Sequence, residues 1–83
     1  MNFSKELKNL RDALQGLQFK QESLEEKISD REDKFYERSE KWQDSDKGIE
    51  YQEQTEEMEN QLDQIATIIS DLEEHIGTLE EIL

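Results

Sequence analysis

From Phe3 to Trp42 the apolar positions advance by alternating steps of four and three. Phe3, Leu7, Leu10, Leu14, Leu17, Leu24, Ile28, Phe35 and Trp42 hold this rhythm, and Gln21, Arg31 and Arg38 fill the places between. This is the a/d seam of a heptad repeat, with Leu7 at a and Leu10 at d. The second half repeats the pattern through Tyr51, Thr55, Met58, Leu62, Ile65, Ile69, Leu72, Ile76, Leu79 and Leu83, with Tyr51 at d and Thr55 at a. No strand-like alternation competes with it.

The two frames are out of phase by one residue at Gln43-Asp44-Ser45-Asp46-Lys47-Gly48-Ile49, where the chain's turn formers cluster. Gly48 suits the left-handed position after a helix, and Lys47 before it suits a helix C-terminus. The pattern therefore predicts a single all-α domain over residues 1–83, an antiparallel two-helix coiled-coil hairpin. Helix one runs over about 2–44, the turn over about 45–49 and helix two over about 50–82. Pairing residues whose numbers total 93 places the midpoint inside the turn. It sets Trp42 on Tyr51, Phe35 on Met58, Ile28 on Ile65, Leu24 on Ile69, Leu17 on Ile76, Leu14 on Leu79 and Leu10 on Leu83. These residues other than Leu83, together with Leu62 and Leu72, form the expected hairpin core. Arg38 faces Thr55, whereas Arg31 and Gln21 meet leucines and are expected to turn outwards. The rival architecture is one continuous helix, a rod of about 125 Å.

A single seam buries one stripe per helix, and small cores of this kind are often completed by oligomerisation. Ile68 and Ile82 widen the stripe of helix two, Phe3 and Leu7 overhang the open end, and Phe19 points outwards. Lys20, Lys27, Lys34 and Lys41 recur every seven residues at g, opposite His75, Ile68, Gln61 and Gln54, so this basic edge finds no acids within the hairpin. These residues are the candidate contacts of a homodimer closing into a four-helix bundle. A solvated lysine edge is the plainer alternative.

Composition agrees with a thin helical rod. The hydrophobic fraction is 31% and the charged fraction 40%, too polar for a ball-shaped core, and proline is absent. With no cysteine there is no disulfide framework or thiol chemistry. The start, Met1-Asn2-Phe3-Ser4-Lys5-Glu6, lacks the apolar run of a signal peptide, and no stretch is long and apolar enough to span a membrane. The expectation is a soluble, cytoplasmic chain.

Charge divides unevenly. Residues 1–45 carry nine basic and eleven acidic side chains, net -2, and residues 46–83 carry one and twelve, net -11. Glu50, Glu53, Glu56, Glu57 and Glu59 make the densest acidic stretch, a candidate surface for a basic protein partner and one that repels nucleic acid and anionic membrane. The same acids also complement the positive end of helix two. Rows of carboxylates can imitate phosphates, so an acidic mimic of nucleic acid that blocks a basic groove is one alternative.

Catalytic and metal chemistry find little footing. His75 is the single histidine and has Asp71 one turn before it, short of the three or four ligands zinc takes. The segment Asp44-Ser45-Asp46-Lys47-Gly48 has its glycine one place early for a calcium loop and lacks the closing glutamate. No phosphate-cradling glycine loop or nucleophile triad can be placed, and no cofactor is expected. Gly16 and Gly77 lie mid-helix, where close approach of another chain or simple tolerance would account for them.

The stretch Glu37-Arg38-Ser39-Glu40-Lys41-Trp42-Gln43-Asp44-Ser45-Asp46-Lys47-Gly48, with Tyr51 beyond, resembles a turn segment of small acidic helical-hairpin proteins of phages and mobile elements. The resemblance implies a compact accessory or inhibitor protein that binds a host protein inside the host cell, and it carries no catalytic residue across. The expected function is thus a non-enzymatic protein–protein interaction module. A structural, self-assembling coiled-coil subunit and the nucleic-acid mimic stand as alternatives.

Overall fold

A computed structural model describes residues 2–83, and Met1 lies outside them. Helix α1 spans Phe3–Glu37, a single-turn helix α2 spans Glu40–Gln43, and helix α3 spans Asp46–Ile82. α1 and α3 pack side by side in an all-helical hairpin of 63 × 15 × 15 Å.

The reversal differs from the expected one. Helix one stops at Glu37, seven residues early, because Arg38 and Ser39 adopt extended backbone. The Ser39 hydroxyl then caps α2 by accepting from the Trp42 N–H at 3.3 Å, and the Gln43 side-chain amide donates to the Arg38 carbonyl at 2.8 Å. Ser45 caps α3 by accepting from the Gly48 N–H at 3.2 Å while its own hydroxyl donates to the Trp42 carbonyl. One serine thereby bonds a backbone donor in the first turn of α3 and a backbone acceptor of α2.

Gly48 is no left-handed helix terminator. It lies in the first turn of α3, and no described glycine has positive φ. Its role is close approach. A Cβ at this position would stand 2.2 Å from the Trp42 carbonyl oxygen, and 2.7 and 2.8 Å from the Gln43 carbonyl oxygen and Cα. All three are backbone atoms, so no rotamer change relieves the clash.

The pairing sits one heptad nearer the turn than expected. Phe35 stacks on Tyr51 with ring centroids 6.3 Å apart, and Arg31, not Arg38, reaches Thr55 at 2.9 Å. Both contacts join residues whose numbers total 86. Trp42 still meets Tyr51, edge to face at 5.8 Å. The expected overhang of Leu7 is absent, since Leu7 is buried with Leu14, Ile69 and Ile76, and Leu72 and Leu79 pack against this cluster. Gly16 and Gly77 have open space where a Cβ would be, so nothing approaches them closely within the hairpin.

The three glycines predict opposite outcomes from one substitution. Gly16→Ala and Gly77→Ala each raise stability by about 0.5–1 kcal/mol, because alanine is the better helix former and meets no neighbour. Gly48→Ala lowers it by about 1–3 kcal/mol, the usual cost of overpacking. Thermal melts followed by circular dichroism check this, and a Gly48→Ala chain as stable as the parent would show that α2 does not sit against α3 as described.

Candidate functional site

The closed end of the hairpin is built around Arg31 and Tyr51. Arg31 lies over the Tyr51 ring, its guanidinium carbon 3.8 Å from the centroid. Its Nε donates to Thr55 Oγ1 at 2.9 Å and a terminal nitrogen donates to the Tyr51 carbonyl at 3.1 Å. Tyr51 answers by donating its hydroxyl to the Arg31 carbonyl at 3.3 Å, and Thr55 donates its own to the Tyr51 carbonyl at 3.0 Å. The expected outward turn of Arg31 is therefore corrected: its planar fork finds a ring face and two acceptors inside the seam. Phe35 and Trp42 close the cluster with centroids 5.9 Å apart, and Arg38 covers Trp42 at 4.1 Å.

This clasp leaves the two faces of the hairpin unlike. One is lined by e positions and is polar. Arg11 makes a salt bridge with Glu80, and Gln18 donates to Glu73 at 3.5 Å. Nearer the turn Glu32 and Glu59 come together. The Glu59 carboxyl is pushed above its ordinary value, first by a hydrogen bond shared with Glu32, then by desolvation and by the charges of Glu32, Asp63 and Glu56.

The opposite face is lined by d and g positions, with apolar d residues along its middle and polar g residues along much of its edges. The a residues Leu7, Leu14, Phe35, Leu62, Ile69 and Ile76 are buried, with Leu14 and Ile76 only 2% and 1% exposed. The d residues expected in the core do not join them fully. Leu10, Leu17, Leu24, Met58 and Ile65 remain 40–49% exposed. The hairpin is rotated so that a points at the partner helix and d leans to one side. Midway along this side Leu24, Met58 and Ile65 line an open groove of about 580 Å³, with Lys27 on one rim and Glu57 on the other.

The candidate oligomer contacts divide accordingly. Ile68 and Ile82, both at g, are 64% and 73% exposed and extend the apolar face along α3. Lys20, Lys27, Lys34 and Lys41 are exposed and form no ion pair with a described carboxylate. Phe3 is half exposed at the open end, and Phe19 stands apart on the outer surface of α1. Leu7 is spent within the hairpin. The chain matches no known family model, no curated protein and no solved structure.

Nor do the five candidate partner-binding acids make one array. Glu56 and Glu59 line a groove on the polar side with Glu32, whereas Glu57 borders the apolar groove on the other. Glu50 and Glu53 are exposed near the start of α3. Among the described residues no three His, Cys, Asp or Glu side chains gather as a metal ion requires, and no helix is long and apolar enough to cross a membrane. Sequence periodicity found the seam, but it missed the asymmetry between a and d, which sets the open face.

The Glu32–Glu59 contact predicts a pH effect. Because the Glu59 value is raised in the folded chain, the fold holds that proton more tightly than the unfolded chain does. The associated stabilisation is present at low pH and is lost as pH climbs past 4.5 through the raised value. Glu32→Gln removes the repulsion, so the variant melts higher than the parent at neutral pH and declines less as pH rises. Melting curves that run parallel for parent and variant between about pH 4 and pH 7 would exclude the contact.

Proposed function

We infer that this chain is a non-enzymatic protein–protein interaction module that works by laying its open d/g face on another helical surface. One observation carries this reading: five seam residues on a single side of the hairpin are left half exposed, and Ile68 and Ile82 continue the same surface. Soluble chains rarely leave a contiguous apolar stripe uncovered without a partner for it. The rigid spacing of seam residues along two helices is what a helical partner reads, as ridges set into grooves.

The sequence resemblance around residues 37–51 supports an accessory role in which the target is a host protein. The exposed acids Glu50, Glu53 and Glu57 favour a basic one. A nucleic-acid mimic fits less well, because Glu56 and Glu59 lie on the polar side of the hairpin and Glu57 on the apolar side instead of forming a single row.

Leu24→Gln combined with Ile65→Gln tests the reading, since both side chains line the groove and neither belongs to the buried cluster. The double variant retains its helical signal and melts within a few degrees of the parent. Complexes formed by the parent, detected by native mass spectrometry of the purified protein and by affinity capture, fall by about tenfold or more. Undiminished complexes would show that the working surface lies elsewhere.

A further inference from the structure

We propose that the apolar face is covered by a second copy of this chain, related by a two-fold axis parallel to the hairpin, so that α1 of each copy lies over α3 of the other. The proposal rests on the interaction reading and names the occupant of that face. Charge decides both occupant and orientation. The d and g positions of α1 carry Lys20, Lys27, Arg31 and Lys34 with Glu6 as the one acid, so stacking α1 on α1 would set lysine against lysine.

Rotation about the long axis instead exchanges the two rims of the groove. Lys27 stands on the α1 rim and Glu57 on the α3 rim, and neither has an ion-pair partner among the described residues of its own chain. In the register fixed by Phe35 on Tyr51 and Arg31 on Thr55, Lys27 lies level with Glu59, two residues from Glu57. At about 1.5 Å per residue that offset is roughly 3 Å, well within the reach of a lysine. One heptad nearer the turn, Lys34 bears the same relation to Glu50. Each copy thus brings acids to Lys27 and Lys34 of the other, while Lys20 in the same relation meets Gln64, and the half-exposed leucines and isoleucines meet between the two charged rims. The result is a four-helix bundle with both turns at the same end, and the remaining acids of α3 stay outside it.

The test uses the full chain and its charge reversals. Sedimentation of the parent gives twice the 9.9 kDa of one chain. Lys27→Glu alone and Glu57→Lys alone each weaken the dimer by about tenfold, since two rim pairs turn repulsive. Mixing the two variants restores it as a heterodimer, in which every Lys27–Glu57 contact is again between opposite charges. No contact inside one hairpin can produce that rescue. Spin labels on Ser4→Cys, unique in a chain without cysteine, fall within roughly 25 Å of each other, about two helix diameters. A separation near the 63 Å hairpin length would overturn the orientation, and absence of rescue on mixing would overturn the rim pairing. A parent that stays monomeric would overturn the second copy as occupant. If its Leu24→Gln/Ile65→Gln variant still lost other complexes, the interaction reading would survive that failure.

Discussion

The guanidinium of Arg31 is trapped between a tyrosine ring and two oxygens, and the rest of the hairpin takes its register from that contact. A positive charge at a seam position has to be paired or expelled. Here Tyr51 supplies a π face and a carbonyl, and Thr55 supplies a hydroxyl, all from the first three turns of α3. Tyr51 returns a hydrogen bond to the Arg31 carbonyl, so the two residues hold each other. Sliding α3 by one heptad would leave the aliphatic contacts nearly unchanged, because leucine and isoleucine repeat along both seams. It would strand Arg31 against Leu62. Apolar periodicity gives two helices a common face, and this polar clasp selects one alignment among several of similar hydrophobic energy.

The turn is the geometric counterpart of that choice. Bringing Tyr51 level with Phe35 requires the reversal to be completed between Glu37 and Asp46. The chain does so with two serine caps and one helical turn between them. Ser45 works for both neighbouring helices, and Gly48 lets the start of α3 sit directly on the Trp42 carbonyl. The aromatic residues then fill the angle between α1, α2 and α3.

Much of this architecture was legible in the sequence. Two heptad frames, out of phase across a cluster of turn formers, imply two helices and a reversal, and that is what forms. The break at Arg38 was hidden because the heptad pattern runs through Arg38 to Trp42 and residues 34–43 are mostly tolerable in a helix. The available signal was the repeated pairing of a serine with an acid, Ser39-Glu40 and Ser45-Asp46, each a cap followed by a negative first turn. Gly48 misled because glycine serves both left-handed helix ends and close approaches, and composition does not separate the two uses. The register was ambiguous by one heptad for the reason just given: only the polar seam residues break the degeneracy. Glu50, Glu53, Glu56, Glu57 and Glu59 read as one acidic block along the chain, but a helix spreads five such positions around its circumference.

The same register explains why the apolar face lies where it does. Two helices can bury only a narrow seam, and with Leu14 and Ile76 pointing straight inwards the d residues lean to one side. That side could have been closed by acidic partners for the g lysines of α1, as the other side is closed by Arg11 with Glu80 and Gln18 with Glu73. It carries Gln54, Gln61, Ile68, His75 and Ile82 instead. A lone hairpin gains little from isoleucine at an outer g position, where it is largely exposed to water and is a weaker helix former than glutamate or lysine. Isoleucine there gains its hydrophobic contribution only when another surface covers it. The hairpin is thus folded along one stripe and left open along the next, where Lys27 stands on the α1 rim and Glu57 on the α3 rim.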